Sequence, residues 1–115
     1  AMAEAMEAQS PESIADPMLK SFRHFADEQK EDRLALAACS RGARVPLTRD
    51  SLMAIGRPTL VVAGARDQLA GPPQGLADAI PGAKAVTLPG CDHFSCIGHP
   101  LFKASVFDFF DGWLE

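Results

Sequence analysis

Two kinds of hydrophobic spacing divide this chain. Up to about residue 47 the apolar positions recur every three to four residues and never alternate, which predicts helices. Residues 3–8, rich in alanine, glutamate and methionine, favour helix by propensity. Asp16-Pro17 opens a second helix, because the aspartate can cap free amides and proline is tolerated in the first turn. Leu19, Phe22 and Phe25 or Ala26 then share one face, which leaves Lys20, Arg23, Asp27 and Glu28 as a solvated face. A third short helix is expected over residues 32–40, interrupted at Val45-Pro46, and Thr48-Arg-Asp50 opens a fourth that turns Leu52 and Ile55 inward.

From Pro58 the pattern becomes strand, turn, helix, strand, turn, helix. Residues 59–63 are apolar on both faces, as in a parallel strand covered by helices on each side. Pro72-Pro73 starts a helix that runs through Ile80 and is closed by Pro81-Gly82, and residues 83–88 form the second strand. The interval between the strands suits a crossover helix rather than a hairpin, so the two should lie parallel. A last helix begins at His99-Pro100, with Phe102, Val106, Phe109, Phe110 and Trp113 as a wide apolar stripe expected to pack in the core.

Composition narrows the functional classes. The chain has 115 residues, 47% hydrophobic and 23% charged, with a net charge of -4, so it can bury a core and lacks the basic surface that grips nucleic acid or anionic lipid. No apolar run approaches the roughly 20 residues of a membrane helix, and Glu4 and Glu7 do not fit a signal peptide. The expected setting is cytoplasmic, without nucleic-acid or membrane partners. Three cysteines, an odd number, read as free thiols.

The chemistry gathers at one edge. The run Arg57-Pro-Thr-Leu-Val-Val-Ala-Gly-Ala-Arg-Asp67 carries a carboxylate just past its strand, and Leu88-Pro-Gly-Cys-Asp-His-Phe94 carries an imidazole just past the next. Ligands of open parallel sheets bind beyond the carboxyl ends of the strands. Taken singly, Asp67 reads as a turn cap and His93 as a satisfied loop residue. Together they read as an acid and base pair, the carboxylate fixing the tautomer so that the other ring nitrogen can move a proton.

These pieces, with Ile80-Pro-Gly-Ala83 between them, resemble the C-terminal half of the α/β-hydrolase family over residues 48–114. The resemblance implies a partial α/β-hydrolase fold. A helical cap-like region over 1–47 would precede a two-stranded parallel β-α-β-α unit over 48–115, with the sheet completed by dimerisation. It assigns Asp67 as triad acid and His93 as triad base of an ester, lactone or carbon–carbon bond hydrolase acting on a small molecule, with no cofactor or metal. The family's nucleophile elbow, usually Gly-x-Ser-x-Gly, is missing, so a truncated form, inactive alone, is expected. Ala38-Cys-Ser40-Arg-Gly42 has related spacing but follows a helical run, and Ser95 is too close to His93 in sequence to approach it.

Two other readings stand beside this one. The chain could be a non-catalytic self-association module, a homodimer through an exposed strand edge. It could also be a zinc module, because Cys91, His93, Cys96 and His99 are all possible ligands, although their spacing is not that of two separated knuckles. His24 reads as a surface residue.

Overall fold

Helix starts follow the local capping chemistry. A computed structural model describes residues 1–112, and the chain divides into two compact units, Ala1–Val45 and Pro46–Glu115. In the first, α1 spans Met2–Glu7, a single 3₁₀ turn Pro11–Ser13, α2 Pro17–Glu28 and α3 Arg33–Arg41. Asp16 caps α2 by accepting from the Met18 and Leu19 amides at 2.8 and 3.1 Å, and Asp32 caps α3 by accepting from Ala35 at 3.1 Å. The core of this unit is made of small residues, Ala3, Ala26 and Ala37, around Met6, with Met2 and Phe22 packed against it.

Arg23 corrects the expected solvated face of α2, because it is buried, with a side chain only 3% exposed. Its guanidinium closes the C-terminal end of α1: Nη1 donates to the carbonyls of Ala5 at 3.0 Å and of Ala8, while Nε donates to Asp27 at 3.0 Å. Arg33 adds bonds to the Met6 and Ala8 carbonyls, each 3.0 Å, and Arg41 pairs with Glu7. A six-residue helix leaves its last carbonyls without intrahelical partners, and two arginines supply the donors. On α2 Ala26 faces inward while Phe25 is exposed.

The second unit is mixed α/β. It comprises α4 (Arg49–Met53), β1 (Leu60–Gly64), α5 (Gln74–Ala79), β2 (Lys84–Leu88), a 3₁₀ turn Cys96–Gly98 and α6 (Pro100–Phe110). Thr48 and Ser51 form a reciprocal capping box at the start of α4, and Leu52 and Ile55 are half-buried. β1 and β2 are parallel, with Leu60 opposite Lys84 and Gly64 opposite Leu88. Gly82, at φ 70°, takes the left-handed position of the turn into β2, closed by the Ala83 amide bonding the Ile80 carbonyl at 3.1 Å.

Leu88 is fully buried. Leu60, Val61 and Val62 are only half-buried, short of the expected double cover, since a two-stranded ribbon gives helices little width to pack on. α6 turns Phe102, Val106 and Phe109 partly inward, but Phe110 is exposed where the apolar stripe predicts burial. Trp113 lies outside the described residues. Among those residues no helix is long and apolar enough to cross a membrane.

Candidate functional site

Because the strands are parallel and level at their C-terminal ends, the loops after Gly64 and Leu88 leave the sheet side by side. Three contacts bind them. The Ala65 amide donates to the Leu88 carbonyl at 2.8 Å, the Arg66 amide to the Cys91 carbonyl at 2.9 Å, and the backbone of Gly64 lies directly against Cys91. A Cβ at Gly64 would stand 2.3 Å from the Cys91 carbonyl oxygen, so only glycine fits there.

Asp67 divides its two carboxylate oxygens between structure and site. Oδ1 accepts from the Leu69 and Ala70 amides at 3.0 and 2.8 Å, and Oδ2 lies 2.8 Å from Nδ1 of His93. The Asp67 side chain is 3% exposed and that of His93 43%, so a sheltered carboxylate holds a ring that reaches solvent. Burial alone would raise the Asp67 carboxyl. The Ala70 amide, the His93 ring and the Leu69 amide outweigh it and hold the group below its ordinary value of 3.8. Asp67 is thus kept as the anion that accepts an Nδ1–H.

The backbone beneath His93 is fixed by a neighbouring aspartate. Asp92 Oδ1 accepts from the amides of Phe94 and Ser95, both at 2.9 Å, and from the Ser95 hydroxyl at 3.1 Å, while the Asp92 amide donates to Ser95 Oγ at 3.0 Å. The Ser95 and Phe94 amides hold its carboxyl below the ordinary range. Although adjacent to His93 in sequence, Asp92 therefore serves the loop and Asp67 serves the ring. Cys96 Sγ donates to the His93 carbonyl at 3.3 Å, and the Phe94 ring meets the imidazole edge-on at 5.9 Å. The Asp92-x-x-Ser95 spacing is a readable Asx-type turn, and it assigns the carboxylate of Asp92 to the loop.

The remaining sequence candidates have other settings. Ser95 Oγ is committed to Asp92. Ser40 lies in the last turn of α3, whereas a nucleophile elbow needs a strand before it, and among the described residues the first strand is β1. His24 is exposed on α2. Of the four zinc candidates, His99 uses both ring nitrogens to start α6: Nδ1 accepts from the Leu101 amide at 3.1 Å and Nε2 donates to the Pro89 carbonyl at 3.1 Å. Cys91 is buried, which pushes its thiol up. Among the described residues no three side chains of the metal-binding types converge on one point. All three cysteines are free.

A scan against family models, a search of curated proteins and a search of solved structures each give no match. The site therefore stands on its own geometry: a carboxylate and an imidazole oriented by backbone hydrogen bonds at the C-terminal edge of two parallel strands.

Proposed function

We propose that the second unit is the acid–base part of a serine-type hydrolase of the α/β-hydrolase kind, acting on an ester, lactone or comparable carbonyl compound. The observation that carries this reading is the 2.8 Å contact between Asp67 Oδ2 and His93 Nδ1 at that sheet edge. With Nδ1–H held by Asp67, Nε2 is the nitrogen that takes the proton of an attacking hydroxyl and returns it to the leaving group. The buried anion of Asp67 stabilises the imidazolium formed between those two steps. The nucleophile and the oxyanion-hole amides are contributed by residues outside these 115.

Two assays test the proposal. The chain itself should turn over an activated ester no faster than background; turnover that is lost in Ser40→Ala but retained in Ser95→Ala contradicts the reading and makes Ser40 the nucleophile. In a longer polypeptide that joins this segment to a strand ending in Gly-x-Ser-x-Gly, His93→Ala should abolish turnover with little loss of folding, while His24→Ala leaves the rate nearly unchanged. Equal effects of the two substitutions contradict the role given to His93.

A further inference from the structure

The outer face of α6 carries Lys103, Phe107 and Phe110 at one-turn spacings, and Asp111, the C-cap one turn after Phe107, extends the same stripe. Phe107 and Phe110 are 71% and 79% exposed, and Lys103 and Asp111 are exposed beside them. Two bare phenyl rings on one stripe form an apolar patch of a kind that marks an interaction surface. Phe110 also borders a cavity of about 290 Å³ lined by Leu60, Val62, Phe102, Val106 and Phe109, which continues the patch to β1.

The edge of β1 next to this patch is open to pairing. The bonds from the Lys84 amide to the Thr59 carbonyl (3.0 Å) and from the Ala65 amide to the Leu88 carbonyl (2.8 Å) bracket the ladder. A parallel ladder alternates, so Val61 and Ala63 turn their amides and carbonyls toward β2, and Leu60 and Val62 turn theirs away. Among the described residues no strand lies on that side. Such an edge offers backbone hydrogen bonds to an incoming strand.

The charges on α6 indicate what covers this face. Lys103 lies one turn before Phe107 and Asp111 one turn after it, so the stripe is complementary to its own reverse. We propose that the face is a two-fold interface with a second copy of the chain. The two α6 helices run antiparallel with Phe107 against Phe107 near the axis, and Lys103 of each copy faces Asp111 of the other. Every contact between different residues of an isologous interface occurs twice, so both ion pairs form together and flank the apolar centre. The proposal uses neither Asp67 nor His93 and stands apart from the hydrolase reading.

Sedimentation equilibrium of the purified chain across micromolar concentrations should show a reversible dimer. Phe107→Glu should raise the dissociation constant by roughly tenfold or more, with the far-ultraviolet circular dichroism unchanged because the side chain is exposed. Lys103→Asp and Asp111→Lys should each weaken the dimer several-fold, and the double variant, with the charges exchanged, should restore it. A monomer at every concentration overturns the proposal, including one that captures a different protein on this face. So does a dimer indifferent to Phe107→Glu, or a charge exchange that fails to rescue.

Discussion

Gly64→Ala should remove the Asp67–His93 contact and destabilise the second unit by roughly 3 kcal/mol, within the upper range for forced overpacking. The added methyl would sit 2.3 Å from the Cys91 carbonyl oxygen and 2.8 Å from its carbon, and both are backbone atoms that no rotamer change can move aside. Relief requires the loop after β2 to withdraw, and this loop carries the Arg66 to Cys91 bond and, two residues on, His93. Chemical denaturation measures the stability change, and His93 ring signals in NMR report the site. A variant of wild-type stability with an unchanged ring environment would show that Gly64 is not the hinge between the two loops. Gly75 is a suitable control, because a Cβ there meets nothing within 4 Å.

Arg23→Ala should cost the first unit about 3 kcal/mol, since it removes a buried cation that bonds two carbonyls and a carboxylate, and it leaves the buried Ala5 carbonyl without its side-chain donor while Ala8 and Asp27 keep only Arg33. The loss falls on a core of alanines and one methionine that buries little apolar area, so a polar clamp is a large share of what docks α1. Arg23→Lys should recover only part of the stability. A single ammonium cannot span the Ala5 and Ala8 carbonyls and Asp27 as the planar guanidinium does. Unfolding monitored by circular dichroism decides between this account and one in which Arg23 is a solvated helix charge, for which both substitutions would be almost silent.

Asp67 and His93 on one side and Arg23 on the other show what the sequence can convey. Asp67 and His93 were legible because each follows a short apolar run that ends in glycine or Pro-Gly, and parallel strands deliver such positions to one edge. The helix starts at Asp16, Asp32 and Thr48 were legible for a similar reason, since the capping chemistry lies within four residues of the cap. Arg23 was not. Lys20 and Asp27 at helical spacing place it with the charged residues of α2, and only the approach of α1 turns it into a buried donor. Phe110 misleads in the opposite sense, because helical periodicity marks an apolar stripe without saying how wide a surface waits to cover it. The close contact at Gly64 is also invisible locally, for its cause is a carbonyl twenty-seven residues further along, at Cys91.

The tautomer of His93, read from its ring nitrogen and proton shifts in NMR of the ¹⁵N-labelled chain at a pH where the ring is neutral, decides whether Asp67 orients the imidazole. If Asp67 orients His93 as a base, the proton sits on Nδ1 and Nε2 carries the lone pair. Asp67→Asn keeps an oxygen for the Leu69 and Ala70 amides but turns an N–H donor toward Nδ1, so in that variant the proton should move to Nε2. A wild-type ring already protonated on Nε2, or one whose tautomer ignores Asp67→Asn, would contradict the acid–base pair on which the proposed hydrolase chemistry depends.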